Sequence, residues 1–268
     1  MKFSILIAHY NNAHFFKNCF ESILSQTYKN WEVIIVDDYS DEAEKAEVKK
    51  IISQDSRFFF YENQENKGVG FTKNRCAGLA TGDICGFLDP DDALTANALE
   101  ESIKAYKNEE TVATYSQFYI CNENLVPSKL FPYSRKIKNK DPLFFNIRFD
   151  VAHFFTFRKK TYDTIDKIDP AITSSVDQDL YLKLYEKGDF YFIKKPLYLY
   201  RNHANGVSQN KQKKEKLYKN WNIVLYNTLK RRGIQTLYGK NIDEIGQLSD
   251  FIFQKQNTLI SRILRKIS

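Results

Sequence analysis

Three aspartates follow an apolar run closely in the stretch CGFLDPDDALT, residues 85–95: Asp89, Asp91 and Asp92. Carboxylates this close repel one another unless a cation or water screens them. Mg²⁺ and Mn²⁺ prefer oxygen ligands and commonly bridge protein carboxylates to the phosphates of a substrate. The cluster therefore predicts either a divalent cation with a phosphate-bearing ligand or a solvated turn at a helix N-terminus, where aspartate is also favoured.

A second acidic pair, Asp37 and Asp38, follows the apolar run VIIV. Such an unbroken run indicates a strand covered on both faces, as in parallel sheets. Strands are also predicted in FSILIA, RFFFYEN and ICGFLD, with helical patterns between them. This alternation predicts an α/β fold with a doubly wound, mainly parallel sheet. Ligands of such sheets bind beyond the carboxyl ends of the strands, so we expect both acidic groups to line one crevice.

The second half of the chain has a less regular pattern. A strand is predicted in TVATYSQFYICNE, a helix in SSVDQDLYLKLYEKG, and two short strands in FYFIKKPLYLYRNH, broken by Pro196. The end of the chain is rich in lysine and helical in pattern. We expect a main domain at residues 1–210, with halves at 1–110 and 111–210, and a helical C-terminal extension at residues 211–268.

The 268 residues carry a net charge of +7, which permits nucleic acid, an anionic membrane surface or phosphate-bearing substrates as partners. No aromatic-plus-basic motif of a nucleic-acid reader occurs, so we expect no nucleic-acid partner. The four cysteines form no C-x-x-C pair and no zinc spacing, which indicates reduced cysteines in the core. The apolar runs are shorter than the ~18 residues of a transmembrane helix, and MKFSILIAHYNN lacks a signal-peptide pattern, so we expect a cytoplasmic protein.

Two other chemistries of acidic loops fit this sequence less well. An EF-hand loop counted from Asp89 would need glycine at its sixth position, which is Leu94 here. A phosphatase with an aspartate nucleophile would carry its Asp pair after the first strand, where this chain has AHYNN. These mismatches favour the cation and phosphate interpretation.

An ordered set of motifs extends this interpretation. ILIAHYNN, VIIVDDYS, NKGVGFTKNRCAG, ATGDICGFLDPDD, VDQDLYLKLYEKG and PLYLYRNH occur in this order over residues 1–208. Together they closely resemble the family 2 glycosyltransferases of the GT-A fold. The resemblance implies a Rossmann-like mixed sheet and an inverting enzyme that transfers a sugar from a nucleotide-sugar, usually a UDP-sugar.

The resemblance also implies that residues 1–110 are the nucleotide-binding half and residues 111–210 the acceptor half, and it implies which residues bind the nucleotide. Residues Ala8 to Tyr10 should line its pocket, with Tyr10 near the base. Asp38 matches the position that meets the uracil or the ribose. Lys73 falls where the family usually has arginine and is expected to contact a phosphate or the nucleotide; a solvent-facing helix lysine is the plain alternative.

The D-x-D positions of the family are Asp89 and Asp91 in this chain. The resemblance implies that Asp89 reaches the ribose or the metal and that Asp91 coordinates Mn²⁺ or Mg²⁺ against the diphosphate. Asp92 is expected to support the loop or help hold the sugar. The departing nucleoside diphosphate gains negative charge, which such a cation stabilises as a Lewis acid.

The segment SSVDQDLYL matches the family's E-D-x-D-L segment, with Val176 in place of glutamate. By resemblance Asp177 is the general base that takes the proton of the acceptor hydroxyl, with Asp179 as the second choice. The plain alternative is an aspartate that only stabilises a helix N-terminus. In YRNHANGVS, Arg201 or His203 is expected to reach the diphosphate or the metal.

Other histidines have no such motif, and His153 is expected to pack in the fold or to line the acceptor cleft. In NTLISRILRKIS, apolar and basic residues alternate with helical spacing. Such a helix can lie on anionic lipid or pack on the domain. Acceptors in this family are often lipid-linked, so a peripheral position at the inner face of the plasma membrane stays open.

Three activities remain for the sequence. The first is an inverting glycosyltransferase that moves a sugar to a glycan or lipid-linked acceptor in the synthesis of surface polysaccharide or glycolipid. The second is a nucleotidyltransferase, which should show a glycine-rich phosphate loop after the first strand, where AHYNN stands. The third is a non-catalytic nucleotide-sugar binder, for which Asp177 would point away from the cleft.

Overall fold

The computed structural model describes residues 1–203 and 211–258, with the backbone alone for residues 211–214. Strands and helices alternate at the start of the chain, as the apolar pattern predicts. Their bounds are β1 (Phe3–His9), α1 (Ala13–Leu24), β2 (Trp31–Asp37), α2 (Glu42–Ile52), β3 (Phe58–Glu62), α3 (Val69–Leu79) and β4 (Ile84–Phe87).

The strands β3, β2, β1 and β4 lie side by side in that order, and all their pairings are parallel. Alternate residues of β1 point to opposite faces: Ile5 and Ile7 pack into one hydrophobic cluster, and Leu6 packs into the other. Helices cover both faces, so every residue of β2 is buried. The carboxyl ends of these strands therefore share one edge of the sheet.

The sheet continues with strands from the second half, in the order β4-β8-β6-β9-β5, while β7 pairs with β6. Strand β8 is antiparallel to both β4 and β6, and β6 is parallel to β9. The sheet is thus mixed, as the fold class requires. The bounds are β5 (Ala93–Leu94), α4 (Ala98–Ala105), β6 (Thr111–Cys121), β7 (Pro127–Leu130), β8 (Thr156–Arg158), α5 (Lys159–Tyr162), α6 (Val176–Tyr185) and β9 (Asp189–Arg201).

Strand β9 is continuous, so the prediction of two strands broken at Pro196 was wrong. The register of β9 against β6 shifts where Ser116 pairs with Ile193 and the next residue, Gln117, pairs with Pro196. This irregularity places the proline, which lacks an N–H donor, at a bulge without ending the strand.

The C-terminal elements are α7 (Lys211–Arg231), β10 (Thr236–Leu237), β11 (Lys240–Asn241), a 3-10 turn (Ile242–Glu244) and α8 (Leu248–Gln256). Their apolar side chains, including Trp221, Leu225 and Ile252, belong to the same buried cluster as Leu180 of α6. Residues 211–258 thus pack on the sheet domain, and the division into domains stays a prediction.

The predicted amphipathic tail, with Leu259 and Ile263 on its apolar side, lies outside the described residues. Among the helices of the described ranges, none is both long and apolar enough to cross a membrane. All four cysteines are buried and reduced, as predicted: Cys19, Cys76, Cys85 and Cys121.

Candidate active site

A buried lysine joins two of the predicted site carboxylates. Lys73 lies on α3 with 4% of its surface exposed. Its Nζ is 2.9 Å from Oδ1 of Asp177 and 3.4 Å from Oδ1 of Asp89. Burial alone would lower the pKa of Lys73, but the two carboxylates outweigh burial and raise it. Lys73 is therefore a charged group inside the fold, which excludes the solvent-facing alternative.

These three residues line a small pocket at the carboxyl edge of the sheet. Asp89 follows β4, Lys73 comes from the middle of α3, and Asp177 is in the first turn of α6. The pocket thus joins elements of both halves of the chain. Its lining residues are Lys73, Phe87, Asp89, His153, Phe155, Asp177 and Tyr181.

Asp177 is held ionised by its surroundings. Burial would raise its pKa, but the positive charges of Lys73 and His153 reverse that effect and lower the pKa below its ordinary value. Ser175, just before α6, has a left-handed backbone with φ of 60°, which turns the chain into the helix. The carboxylate is therefore charged and directed at the pocket, as a general base requires.

His153 packs in the fold and also lines the pocket, while its place in an acceptor cleft stays a prediction. Its ring stacks on Tyr198 with 4.7 Å between centroids. Burial lowers its pKa, while the charges of Asp89 and Asp177 oppose that shift. The imidazole thus forms one wall of the pocket beside Asp177.

Asp91 and His203 contact each other at the acidic loop, by which we mean residues 89–92. Oδ2 of Asp91 is 2.8 Å from Nε2 of His203, and Phe15 packs edge-on against the imidazole at 4.8 Å. A carboxylate oxygen and an imidazole nitrogen fit Mn²⁺ well, whereas Mg²⁺ favours oxygen alone. Within residues 1–203 and 211–258, no three His, Cys, Asp or Glu side chains gather as a cation site. A cation held here would need further ligands, such as phosphate oxygens.

Asp92 has a different environment from its neighbours. It is 2% exposed; its Oδ2 accepts a hydrogen bond from Oη of Tyr198 at 2.7 Å, and its Oδ1 accepts one from the backbone N–H of Arg201 at 2.7 Å. Burial, together with the charges of Asp91 and Asp89, raises its pKa well above the ordinary value. Of its two predicted roles, the geometry favours loop support.

Arg201 contacts the protein with its whole guanidinium group. It donates to the backbone carbonyls of Asp91 and Glu123 and, at 3.0 Å, to Oδ1 of Asn18. The guanidinium also lies 4.3 Å from the ring centroid of Phe15. These contacts fix the backbone of the acidic loop, and the expected contact with a diphosphate stays a prediction.

The predicted nucleotide residues lie at the ends of β1 and β2. Ala8 is partly buried in β1, while Tyr10 follows that strand with 52% of its surface exposed. Tyr39 follows β2, is 57% exposed and has a φ of 68°. The sequence analysis did not name it as a candidate residue of the nucleotide pocket. Its place next to Asp38 was the only signal in the sequence.

Asp38 is buried and engaged with the loop that leads into α3. Its carboxylate accepts hydrogen bonds from Nδ2 of Asn63 at 2.7 Å and from the backbone N–H groups of Lys67 and Gly68 at 2.8 Å each. Asp38 thereby fixes the start of the helix that carries Lys73. Its predicted contact with a nucleotide stays a prediction.

Asp179, the second choice of base, is 3% exposed and turned away from Asp177. Its Oδ2 accepts from Nζ of Lys183 at 2.7 Å and from the backbone N–H of Asp169 at 3.1 Å. The ion pair lies within α6, and the hydrogen bond from Asp169 ties the helix to the preceding loop. Between the two aspartates of the motif, only Asp177 lines the pocket.

Comparison with known proteins agrees with this arrangement. The sequence model described as Glycosyl transferase family 2 matches residues 4–166, more than half of the chain. Hyaluronan synthase of Pasteurella multocida is 29% identical over 258 residues, which cover 94% of this chain and 25% of that protein. The chain therefore spans about a quarter of the length of this relative.

Two solved structures share the fold. TarS 1–349 of S. aureus in complex with UDP-GlcNAc has a TM-score of 0.67 at 17% identity, covering 85% of this chain and 67% of that chain. Mannosyltransferase PcManGT from Pyrobaculum calidifontis, in complex with GDP-Man and Mn²⁺, has a TM-score of 0.60 at 11% identity, covering 99% and 79%. The fold is the GT-A fold that the resemblance implied, and the chain belongs to glycosyl transferase family 2.

Proposed function

We propose that this chain is an inverting glycosyltransferase that moves a sugar from a nucleotide-sugar, with a UDP-sugar as the first choice, to a hydroxyl of a glycan or lipid-linked acceptor. The observation that carries the proposal is the pocket in which Asp177 faces Asp89 across Lys73. A non-catalytic binder would have Asp177 directed away from this pocket. A nucleotidyltransferase would carry a glycine-rich loop after β1, where the chain has Tyr10, Asn11 and Asn12.

In the proposed reaction, Asp177 takes the proton of the acceptor hydroxyl as its oxygen attacks the anomeric carbon of the donor sugar. A bond forms between that oxygen and the carbon, while the bond from the carbon to the diphosphate oxygen breaks on the opposite face. The nucleoside diphosphate leaves with the bonding electrons. Inversion follows because attack and departure take place on opposite faces.

Lys73 holds Asp177 in the charged form that can accept a proton. A lowered pKa also makes the carboxylate a weaker base, since basicity falls with the pKa. In return, the ion pair with Lys73 keeps Asp177 ionised and in one position at neutral pH. We assign Lys73 to positioning Asp177 between the donor and the acceptor.

The leaving diphosphate is expected near the acidic loop. Asp91 and His203 would hold Mn²⁺ or Mg²⁺ together with phosphate oxygens of the donor, and the PcManGT structure, which shares the fold, contains Mn²⁺ with GDP-Man. Such a cation, when bound, supplies Lewis-acid stabilisation of the developing negative charge. The chain's own contribution is to hold the loop in place through Asp92 and Arg201.

The nucleotide is expected over the ends of β1 and β2. Exposed Tyr10 offers a ring face for the base, and Ala8 leaves space beside it. TarS binds UDP-GlcNAc in a structure with the same fold, which supports a UDP-sugar as the first donor to test. The three hydrogen bonds from residues 63–68 leave the Asp38 carboxylate about one further acceptor position, with which it would meet the ribose or the base.

The test is a panel of nucleotide-sugars screened by thermal shift with and without Mn²⁺. Stabilisation by one UDP- or GDP-sugar that depends on Mn²⁺ is the expected result, because only the folded state binds the pair. A panel in which no sugar nucleotide raises the melting temperature in either condition would contradict the proposal. For a nucleotide-sugar that stabilises the protein in this screen, the release of nucleoside diphosphate then measures turnover.

The hyaluronan synthase relative supports synthesis of a surface polysaccharide or glycolipid as the setting. We also propose a cytoplasmic position, with possible contact to the membrane through the basic tail after residue 258. Sedimentation with anionic liposomes compares the full chain with a version that ends at residue 258. Equal sedimentation of both would rule out the tail as a membrane contact.

A further inference from the structure

Five aromatic side chains form a continuous group beside the pocket, which we call the aromatic wall: Phe118, Phe131, Tyr133, His153 and Tyr200. Phe118 stacks on Phe131 with 4.4 Å between centroids, and Phe131 meets Tyr133 edge-on at 5.3 Å. On its other side Phe118 contacts His153 at 5.6 Å and Tyr200 at 6.1 Å. The wall therefore runs without a break from a pocket residue to a surface residue.

The sheet decides this arrangement. In the register of β6 and β9, Phe118 pairs with Tyr198 and Ile120 pairs with Tyr200, so these side chains lie on one face. Tyr198 carries the stacked ring of His153 and donates its hydroxyl to Asp92. The wall and the acidic loop are thus both attached to β9.

The wall becomes more exposed from Phe118 to Tyr133. Phe118 is buried and anchors the group, Phe131, His153 and Tyr200 are partly buried, and Tyr133 is 52% exposed. Burial of Phe118 stabilises the fold, but the exposed ring of Tyr133 stabilises it little. An exposed aromatic residue continuous with a catalytic pocket is better explained by a ligand.

The chemistry of the wall matches sugar rings. A pyranose ring has an apolar face of C–H groups that can pack on the negative face of an aromatic ring, while its hydroxyls stay in water or bond to polar tips. The tyrosine hydroxyls and the imidazole provide such tips along the wall. A lipid chain would require a continuous aliphatic groove, and this surface alternates aromatic faces with polar atoms.

We propose that the aromatic wall is a subsite for a glycan acceptor, whose terminal hydroxyl it directs toward Asp177. This inference rests on the proposed function, since it assigns the acceptor side of the same pocket. His153 is next to the reacting hydroxyl, and Tyr133 contacts a sugar ring farther from it. The subsite binds the sugar part of an acceptor and leaves any lipid part outside.

The experiment is a glycan array with the full-length chain in the presence of UDP and Mn²⁺. The array includes hyaluronan oligosaccharides among glycans of different backbones, all on one hydrophilic linker, and an alkyl chain on the same linker. Tyr133→Ala removes the exposed ring, and Tyr133→Phe keeps it. Tyr191→Ala is the matched control, since Tyr191 is a 53% exposed tyrosine outside the wall.

We expect the wild-type chain to retain at least one glycan, and Tyr133→Ala to bind it roughly tenfold more weakly, in keeping with the strength of one aromatic contact. Tyr191→Ala should bind as the wild type does, and Tyr133→Phe, which keeps the ring but loses one polar tip, should bind more tightly than Tyr133→Ala. Absence of glycan binding, equal binding by Tyr133→Ala, or Tyr133-dependent binding of the alkyl chain would each overturn the subsite.

The donor screen separates this inference from the proposed function. Tyr133→Ala should keep the full thermal shift with a nucleotide-sugar and Mn²⁺, because Tyr133 is not one of the residues proposed to bind the donor or the metal. If glycan binding depends on Tyr133 while no nucleotide-sugar binds, the subsite stands and the transferase proposal fails. If donors bind and turn over while glycan binding ignores Tyr133, only the subsite fails.

Discussion

Lys73 and Asp177 form an ion pair of 2.9 Å across the pocket, although 104 positions separate them in the chain. The pair joins α3 of the first half to α6 of the second. Because Nζ of Lys73 also lies 3.4 Å from Asp89, the ammonium group of this lysine connects the predicted base to the acidic loop. The relative position of donor and acceptor should therefore depend on this lysine.

Replacing Asp177 by asparagine should abolish transfer and preserve donor binding. The amide keeps the size of the side chain but cannot take a proton, and general base catalysis contributes about 10²–10⁴-fold to a rate. The measurements are release of nucleoside diphosphate in the presence of acceptor and a donor thermal shift. Asp163→Asn, at an exposed carboxylate of the ion pair with Lys159, is the control. Full activity of Asp177→Asn would refute its role as the base.

Replacing Lys73 should change the pH dependence of the reaction. Lys73→Met removes the positive charge that opposes the effect of burial, so the pKa of Asp177 should rise. The acidic limb of the kcat/KM profile should therefore move to higher pH. Lys73→Arg should restore the wild-type profile, since it returns the charge. The lowered pKa also stabilises the fold above the ordinary aspartate pKa, and that contribution is lost as the pH falls through the lowered value. An unchanged acidic limb in Lys73→Met would contradict the positioning role.

Removing Asp91 or His203 should uncouple donor binding from the metal. Their side chains are 2.8 Å apart, and either substitution, Asp91→Asn or His203→Ala, removes one of the two proposed protein ligands of the metal. We expect the Mn²⁺-dependent part of the donor thermal shift to fall, with apparent metal affinity weaker by at least about 10–100-fold. Treatment of the wild type with a chelator should give the same loss. A full Mn²⁺ effect in both variants would place the metal elsewhere.

Replacing Tyr198 by phenylalanine should destabilise the protein without removing a ligand of the metal. The variant leaves Oδ2 of buried Asp92 without its donor, at a cost of about 1–3 kcal/mol. For a chain of this size, each kcal/mol lowers the Tm by roughly 2–4 °C. The loss should grow with pH, because burial raises the pKa of Asp92 and the charged form most needs the hydroxyl. A Tm equal to that of the wild type would exclude this role.

Two glycines of α3 should respond oppositely to alanine. A Cβ at Gly70 would lie 2.2 Å from the carbonyl oxygen of Ile172, so Gly70→Ala forces α3 away from the loop before α6 and should cost about 1–3 kcal/mol. A Cβ at Gly78 meets no atom within 4 Å, so Gly78→Ala should stabilise the helix by about 0.5–1 kcal/mol. Chemical denaturation compares the two. Equal effects of both substitutions would contradict the close packing of Gly70.

The sequence alone predicted the fold class and the identity of the acidic groups. The alternation of apolar runs and helical patterns reflects local periodicity, and it correctly predicted that the strands β1 to β4 pair in parallel. The placement of Asp89 after a strand also followed, since the carboxyl ends of parallel strands share one edge. These features depend on residues that are close together in the sequence, so one amino-acid sequence is enough to predict them.

The tertiary structure decided what each carboxylate does. Asp91 and Asp92 are adjacent and chemically identical in the sequence, yet one meets His203 and the other is buried against Tyr198. The sequence predicted that Lys73 contacts a phosphate or faces solvent, whereas in the structure it forms an ion pair with Asp177 of α6. Burial, pKa and charge pairing arise from contacts between residues far apart in the chain, which local patterns do not specify. The sequence determined that this edge of the sheet is acidic, and the packing of α3, α6 and β9 around it decided which groups support the loop and which face the pocket.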